Sequence, residues 1–277
     1  MINWMKFRWL YLLISGTVII TGAFSMLKWG FKIGVDFTEG VVAEYKFPDA
    51  KNQIFKYSVL KDTEIEKIRT EFKQREAVEV SFENVGPSIG QELIKKTIYA
   101  LLISATAILF WVAYQFKSIK FGISATLATF HDTLVLLGTF SLLGHFFGAE
   151  IDFLFVTAML TILSFSVHDT IVVFDRIREM RKKAGANFIE MANNALSETM
   201  VRSLNNSFTI IFMLIALILI GGESTKWFAV ALLIGTISGT YSSPFVAVPI
   251  LVTWDEISRK LIPQECLRKI FIYSLGL

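Results

Sequence analysis

Long apolar stretches separated by short polar loops run along most of this chain. Six of them reach the roughly 17 to 25 residues that a membrane-spanning helix needs. These stretches are Trp9–Lys28, Thr97–Phe116, Phe121–Leu143, Phe153–Phe174, Asn205–Gly221 and Trp227–Val252. The last contains Pro244 and Pro249, so we expect it to be tilted or kinked. The pattern predicts a polytopic α-helical membrane protein with six transmembrane helices.

A polar segment, residues 34–96, separates the first predicted span from the second. Period-two alternation and a helical apolar stripe within it predict a small α/β domain. Its strands are expected at Val41–Phe47, Gln53–Leu60 and Ala77–Phe82, and its helix from Asp62 or Thr63 to about Gln74. A segment of this size buries little core, so we expect the domain to depend on the membrane part or on a partner.

The predicted spans and loops divide the chain into four parts. They are the N-terminus with the first span (1–33), the α/β domain (34–96), spans two to six (97–254) and a C-terminal tail (255–277). Within the third part, a polar loop at about 176–204 contains apolar residues at helical spacing, namely Phe188, Ala192, Ala195, Leu196 and Met200. This stripe predicts an amphipathic helix that lies along the membrane interface.

Charged residues are few, and their placement predicts the orientation of the chain. Of 277 residues, 53% are hydrophobic and 18% charged, and the mean hydropathy is +0.55, which excludes an ordinary soluble protein. The net charge is only +3. Lysine and arginine concentrate at 117–120, 176–183 and 259–269, whereas the opposite short loops carry few of them. The positive-inside rule therefore predicts cytoplasmic termini and an extracytoplasmic α/β domain.

The fourth span ends in FSVHDTIVVFDRIRE, Phe165–Glu179, which places a carboxylate, Asp169, about two turns inside the membrane. A charged residue at that depth costs about 2.5 to 3.5 kcal/mol on insertion scales. In lipid the acid is either protonated or paired, and switching between these states changes which helix contacts are favourable. Asp169 is therefore a candidate proton carrier, and the alternative is a static acid bonded to a neighbouring helix.

Three polar residues at the start of the fifth span are candidates for the same site. Arg202 is either a snorkelling anchor or a counter-charge for Asp169. Asn205 and Asn206 can form hydrogen bonds across helices or line a wet cavity, and they are possible members of a polar relay with His131 and Asp132.

Three titratable residues in the third and fourth spans, His131, Asp132 and His168, are candidates for a polar relay. Interhelical hydrogen bonding is their alternative role. His168 directly precedes Asp169, and adjacent positions of a helix face different ways, so we expect no direct transfer between these two.

Gly235, Gly239 and Ser243 recur every four residues in the sixth span, which predicts a ridge for close helix packing. The single cysteine, Cys266, excludes an intrachain disulfide and fits no metal spacing. The sequence contains no nucleophile elbow, phosphate loop, metal-ligand cluster or basic–aromatic nucleic-acid surface. We therefore expect no enzyme activity, metal, cofactor or nucleic-acid partner, with protons as the coupling ion.

Four motifs, in order along nearly the whole chain, resemble those of the SecF family of protein-export membrane proteins. They are GVDFTEG at Gly34–Gly40, VGPSIGQEL at Val85–Leu93, DTIVVFDRIRE at Asp169–Glu179 and GTISGTYSSPF at Gly235–Phe245. Matching positions in them include Gly34, Asp36, Phe37, Gly40, Gly86, Pro87, Gly90, Asp175 and Arg176. Two positions depart from the family pattern, because Glu39 stands where glycine is usual and His168 replaces a common asparagine.

The resemblance implies a role in the SecD–SecF complex, whose resistance-nodulation-division superfamily builds twelve-helix units from two related halves. A six-helix chain is then one half and needs SecD. The complex is thought to use proton flow to promote late export of unfolded polypeptide through the SecYEG channel in the bacterial cytoplasmic (inner) membrane. The essential acid of the family falls on Asp169, and its conserved arginine falls on Arg202.

Two alternatives stay open at this point. A half-unit of a small-molecule or lipid exporter of the same superfamily would use the same proton chemistry, although residues 34–96 are few for a substrate tunnel. A passive scaffold of a membrane complex would use Asp169 only as a structural acid.

Overall fold

The structure, a computed structural model, describes residues 3–34, 36–38, 40–47, 53–57, 62–85, 87–182 and 187–261. Its helices are α1 Arg8–Trp29, α2 Asp62–Gln74, α3 Pro87–Phe116, α4 Ile119–Phe147, α5 Phe153–Lys182, α6 Phe188–Ile220, α7 Glu223–Ser242 and α8 Val248–Leu261. Its strands are β1 Gly40–Lys46, β2 Gln53–Tyr57 and β3 Val78–Val85. With α7 and α8 counted together, six helical segments are long and apolar enough to cross a membrane, which confirms the predicted polytopic helical fold.

A small α/β unit lies between α1 and α3 in the chain, as the alternating pattern predicts. Its three strands form an antiparallel sheet in the order β2-β1-β3. Helix α2 packs on this sheet through Phe72, whose ring stacks on Tyr45 with 4.2 Å between ring centroids. Tyr45 also donates a hydrogen bond to Glu79 at 3.2 Å. Burial, with the negative charge of Glu79, raises the pKa of Tyr45 to about 12, so the hydroxyl keeps its proton at neutral pH.

One prediction is wrong, because the apolar stripe from Phe188 to Met200 is not a separate helix on the membrane interface. It is the first part of α6, which continues without a break to Ile220. Ala192 and Leu196 are buried in the largest core cluster, which also contains Met5 from the N-terminus and residues of α8. The stripe is covered by protein, and helical periodicity alone does not distinguish protein from an interface as its cover.

The last span is interrupted where Pro244 falls, in agreement with the expected kink. Helix α7 ends at Ser242, a π-helical turn occupies Ser243–Ala247, and α8 continues from Val248. Proline has no amide hydrogen, so the regular hydrogen-bond ladder of an α-helix cannot continue through it. The fully buried hydroxyls of Ser242 and Ser243 therefore lie at the junction of the two helices, inside the bundle.

Helices α1 and α4 cross at a pair of glycines. A Cβ atom on Gly138 would lie 2.5 Å from the Cα atom of Gly22, which is too close without movement of the backbone. Small residues of this kind let membrane helices approach closely. Near the crossing, Ser25 donates a hydrogen bond to Ser141 at 2.9 Å, and this bond fixes the two helices further.

We expect Gly138→Ala to lower the free energy of unfolding by about 1 to 3 kcal/mol, because α1 and α4 must separate to admit the methyl group. Thermal unfolding of the protein in detergent micelles measures this loss. Gly16→Ala on α1 is the matched control, since a Cβ atom there meets nothing within 4 Å. An equal loss in both variants would show that the crossing is not its cause.

Candidate functional site

Asp132 of α4 is the centre of a buried polar cluster between α4, α5 and α7. Its side chain is fully buried, and its carboxylate accepts hydrogen bonds from Ser166, Ser238 and Ser242, each at 2.6 Å. The Nδ1 atom of His131 lies 3.1 Å from Oδ1 of the same carboxylate. An ionised carboxylate offers about four lone-pair sites, so these neighbours satisfy it. One acid thus ties three helices together.

Asp169 of α5 is a second buried acid, and it has fewer partners. Its exposed fraction is 4%, and Ser203 of α6 donates a hydrogen bond to Oδ2 at 2.5 Å. Among the residues that the structure describes, no basic side chain forms an ion pair with it. An acid with one hydroxyl partner keeps lone pairs for a proton or a water molecule. Asp169 is therefore the acid that is free to change its partners.

Hydroxyl groups connect the surroundings of the two acids. Thr170, which follows Asp169, lies with its hydroxyl oxygen 2.9 Å from that of Ser243. Both hydroxyl oxygens also lie within hydrogen-bond distance of the backbone carbonyl of Ser166, at 3.0 and 3.2 Å, so one hydroxyl donates to this carbonyl and the other donates either to it or to its hydroxyl neighbour. The side chain of Ser166 donates to Asp132. A change at either acid can therefore alter the contact between α5 and the junction of α7 with α8.

A polar cavity of about 460 Å³ opens beside the Asp169–Ser203 contact, at the end of the bundle where α5 ends and α6 begins. Its lining includes Gln115, Val172, Asp175, Arg176, Glu179, Glu198, Thr199 and Arg202. The acids and bases of this rim are largely paired: Asp175 binds Arg178 at 2.5 Å, and Arg176 binds Glu179 and Glu198. The rim is thus charged and wide enough for water, and its residues Val172 and Arg202 lie within one turn of Asp169 and Ser203 on α5 and α6.

Arg202 lines this cavity but does not contact Asp169. Its side chain is exposed, and it forms no ion pair within the described ranges. It directly precedes Ser203 on α6, and adjacent positions of a helix point in different directions. In this conformation the partner of Asp169 is therefore the neutral hydroxyl of Ser203, and not the predicted counter-charge Arg202.

The other members of the predicted relay lie apart from one another. His168 is exposed on α5, and Asn205 and Asn206 are exposed on α6. Of the relay residues, His131 and Asp132 share a buried cluster. The proposed relay is therefore split into one buried pair and three surface side chains.

The small-residue ridge of α7 packs against α5. A Cβ atom on Gly235 would lie 2.1 Å from the Cδ1 atom of Ile162, and one on Gly239 would lie 3.3 Å from the Cβ atom of Ser166. Ser243, the third member, belongs to the π-helical turn and is fully buried. Glycine at these positions brings the two helices close enough for hydroxyls from both to reach α4.

The segment from Gly34 to Gly40 is attached to the beginning of α5. The amide of Gly34 donates to the carbonyl of Ile151 at 2.8 Å. Asp36 accepts a hydrogen bond from the amide of Phe153 at 2.7 Å, so it satisfies a free amide in the first turn of α5. A carboxylate is favourable there because the helix dipole is positive at its N-terminus.

The remaining motif positions are less informative about a site. Phe37 is buried, Gly40 begins β1, Pro87 begins α3, and Gly90 lies in the first turn of α3. Gly86, Glu39 and Cys266 lie outside the described residues.

Asp152, next to Asp36 at this junction, carries its charge at a cost. Burial, with repulsion from Asp36 and Glu150, raises the pKa of Asp152 above the usual aspartate value of about 3.9. Between the usual and the raised pKa, the folded protein binds more protons than the unfolded chain. The contribution of Asp152 therefore makes stability fall as the pH rises through that window.

We expect Asp152→Asn to raise the thermal unfolding midpoint at pH 7 and to have little effect below about pH 4. Asparagine keeps an oxygen for the amide of Phe155, which donates to Asp152 at 2.7 Å, and it removes the charge. The control Asp152→Ala loses this bond as well and should be less stable than the asparagine variant by about 1 kcal/mol. A native protein more stable at pH 7 than the asparagine variant would contradict this account.

Sequence reasoning missed the serines that bind the two acids. Ser166, Ser203, Ser238 and Ser242 are uncharged and do not interrupt the apolar pattern. One signal was present, because Ser238 and Ser242 are four residues apart and therefore project from the same face of a helix.

Comparison with known proteins places these features in a family context. Residues 64–257 match the sequence profile described as "Protein export membrane protein SecD/SecF, C-terminal". A protein translocase subunit SecF from Thermobaculum terrenum is 38% identical over 92% of this chain and 94% of its own length. Another from Anaerolinea thermophila is 32% identical over 92% of this chain and 94% of its own length.

Solved structures agree with this match. The crystal structure of SecDF, a translocon-associated membrane protein from Thermus thermophilus, has a TM-score of 0.82 and 28% identity to this chain. The alignment covers 92% of this chain and 39% of the SecDF chain, so this chain spans about two fifths of that protein. SecDF in a super-membrane-facing form has a TM-score of 0.73 and 27% identity.

Proposed function

The chain belongs to the SecD/SecF family of protein-export membrane proteins, and from this membership we propose that it is a SecF subunit that uses the proton gradient. Its partners are SecD, the SecYEG channel and the unfolded polypeptide whose late export it promotes. The names of its relatives, protein translocase subunit SecF, support an accessory role in the Sec translocase. The match to two fifths of SecDF supports association with SecD, which supplies the rest.

The proton part of the proposal depends on one observation, the buried carboxylate of Asp169 with a single hydroxyl partner. A carboxylate in lipid is stable when it is protonated or well paired. Asp169 is 4% exposed, and its partner Ser203 is neutral. The charged cavity is lined by Val172 and Arg202, which are neighbours of Asp169 and Ser203 on their helices, and we take it as the side from which water and protons reach the acid. Taking up and releasing a proton at Asp169 therefore changes which groups it attracts.

Arg202 supplies the second state of this proposed switch. Adjacent residues are about 100° apart around a helix, so a rotation of α6 of that order would bring Arg202 to the place of Ser203 beside Asp169. Ionised Asp169 attracts Arg202, and protonated Asp169 bonds to Ser203. One charge that crosses 100 mV is worth about 2.3 kcal/mol, which is enough to bias a two-state rearrangement.

The orientation in this proposal follows the positive-inside rule. The chain is a multi-pass protein of the bacterial inner membrane. We place the end of the bundle that carries the charged cavity in the cytoplasm, together with both termini. Lysine and arginine concentrate in the loops at this end, which is the pattern that the positive-inside rule describes. The small α/β unit is then outside, attached to the N-terminus of the helix that carries Asp169.

A pulse-chase of precursor release tests the proposal in cells depleted of their own SecF that produce this chain with its cognate SecD. We expect the chain to accelerate release, and we expect a protonophore to abolish the acceleration at constant ATP. Acceleration that survives the protonophore would refute the use of the proton gradient. No acceleration, with the chain and SecD both present in the membrane, would refute the export role and favour an exporter of the same superfamily.

A further inference from the structure

The N-terminal strap, residues 3–7, lies across the first part of α6. It contains a single 3₁₀ turn, Trp4–Phe7, which leads directly into α1. Met5 is buried in the largest core cluster, together with Ala192 and Leu196 of α6. An isolated turn of this length is not stable by itself, so contacts with other helices must hold the strap in place.

Asn193 of α6 binds the strap through both functions of its side chain. Its Oδ1 atom accepts a hydrogen bond from the amide of Met5 at 2.8 Å, and its Nδ2 atom donates to Oδ1 of Asn3 at 3.0 Å. A backbone amide can only donate, so the orientation of the Asn193 side chain is determined. Asn193 is buried, and a buried polar group that loses its partners is unfavourable. Moving Asn193 away from the strap would break both bonds.

Ser197, one turn after Asn193, adds a third bond on the same face of α6. Its hydroxyl accepts a hydrogen bond from Nε1 of Trp4 at 3.0 Å and donates to the backbone carbonyl of Asn193 at 2.9 Å. The ring of Trp4 also lies 6.0 Å, between ring centroids, from that of Phe245 in the π-helical turn. The strap therefore contacts α6 and the junction of α7 with α8 at the same time.

An ion pair fixes the other side of the strap. Arg8, the first residue of α1, donates two hydrogen bonds to the carboxylate of Glu256 of α8, at 2.9 and 2.8 Å. Both terminal nitrogens and both oxygens take part, which is the geometry of a strong guanidinium–carboxylate pair. The first part of α6 is thus tied, through the strap, to α1 and α8.

This attachment bears on the acid site because α6 is one uninterrupted helix. Asn193 lies ten residues before Ser203, a distance of about 15 Å along the helix axis. In a continuous helix the two positions turn together, since successive turns are joined by backbone hydrogen bonds. A rotation of about 100°, the size that would bring Arg202 to Asp169, would therefore carry Asn193 away from the strap.

We propose that Asn193 is a positioning residue of the proton switch, which through the strap holds α6 with Ser203, and not Arg202, beside Asp169. The strap opposes the rotation that exchanges the two side chains, and it must be released before Arg202 reaches the acid. This inference rests on the proposed function for the two states of the switch. It adds the part of the fold that sets the balance between them.

A reversible cross-link tests whether release of the strap is required. Asn3→Cys and Asn193→Cys, in a Cys266→Ser background, are joined by a short bis-methanethiosulfonate linker in inverted membrane vesicles that contain cognate SecD and SecYEG. We expect the linked protein to lose gradient-dependent translocation and to keep the part driven by ATP. A thiol reductant that cleaves the linker should restore the lost part. Full gradient-dependent translocation by the linked protein would overturn the proposal.

A cross-link on the other side of the strap is the matched control. Arg8→Cys joined to Glu256→Cys, in the same background, ties α1 to α8 and leaves the bonds between the strap and α6 in place. We expect this protein to retain gradient-dependent translocation. Equal loss in both linked proteins would refute the specific role of Asn193, because any restraint on the bundle would then be sufficient.

Electron paramagnetic resonance measures the position of α6 without reference to export. Spin labels at Val201→Cys of α6 and Ile119→Cys of α4, both exposed positions, are placed in the Cys266→Ser chain bound to cognate SecD in lipid nanodiscs. The rotation would change their separation by up to about 8 Å, since a helix with its side chains is about 10 to 12 Å wide. We expect Asn193→Ala to raise the population of the second distance about tenfold, because it removes two hydrogen bonds that hold the first state.

Asn194→Ala is the matched control for this measurement. Asn194 has the same side chain one position further along α6, and it forms no side-chain hydrogen bond within the described part of the chain, so the distances should not change. An unchanged distribution in Asn193→Ala would refute the positioning role. Absence of gradient-dependent translocation in native vesicles, with a second distance that Asn193→Ala populates, would refute the proposed function and support the hold of the strap on α6.

Discussion

Asp169→Asn is expected to abolish the gradient-dependent part of precursor export while the protein still assembles in the membrane. Asparagine can still accept the hydrogen bond from Ser203, so the packing of α5 on α6 is preserved. It cannot take up a proton or attract Arg202 as an anion. If one charge is coupled at 100 mV, the lost bias is about 2.3 kcal/mol, which corresponds to a change of about fiftyfold in the driven equilibrium.

Asp255→Asn is a suitable control for this experiment, because it also neutralises one aspartate of the bundle. Asp255 lies 3.7 Å from Lys120 in an ion pair at the end of the spans. Pairs of this kind contribute about 0 to 1 kcal/mol, so export should change little. Native export by Asp169→Asn would show that Asp169 is a structural acid and would favour the passive-scaffold alternative.

Asp132→Ala is expected to have the largest effect on stability of any single substitution considered. It removes the common acceptor of three serine hydroxyls and leaves Nδ1 of His131 without its neighbour. Each buried donor without a partner costs about 1 to 3 kcal/mol. The summed cost of these unpaired groups approaches the free energy of unfolding of a typical domain, which is about 5 to 15 kcal/mol. Little folded protein should therefore accumulate. The level of protein in the membrane and its thermal midpoint measure the loss.

Two variants show whether the loss comes from the hydrogen bonds of Asp132. Asp132→Asn keeps one acceptor oxygen and should be less damaging than alanine. Ser124→Ala lies on the same helix and removes a fully buried hydroxyl that has no partner within the described part of the chain, so it should be neutral or stabilising. If Ser124→Ala were as destabilising as Asp132→Ala, packing rather than hydrogen bonding would be the cause.

The architecture was largely predictable from sequence because it depends on patterns that extend over many residues. The helix expected to end at Gln74 does so, and three alternating or apolar segments of the small unit form its three strands. The junction of α5 and α6 was not predictable in the same way. Apolar residues after Phe188 fit either a helix on the interface or the continuation of a span, and contacts with α8 and the N-terminus decide between them.

The site was predictable only in its acids. A carboxylate inside a long apolar run is conspicuous, so Asp132 and Asp169 could be selected from the sequence. The partners of these acids depend on how each helix is rotated about its axis relative to its neighbour. A shift of one residue changes the partner, because Ser203 contacts Asp169 and the adjacent Arg202 does not. The difference between a loosely held acid and a fully bonded one is therefore a property of the packed bundle.

The contact between Asp36 and the first turn of α5 makes this helix a lever with the small α/β unit at its far end. Asp169 is sixteen residues beyond Phe153, which is a distance of about 24 Å along the helix axis. A tilt of α5 of about 10° with its pivot at Asp169 would move the attached end by about 4 Å. A small tilt that follows a change of partner at the acid would thereby become a displacement of about one residue of extended polypeptide at the opposite end of the helix.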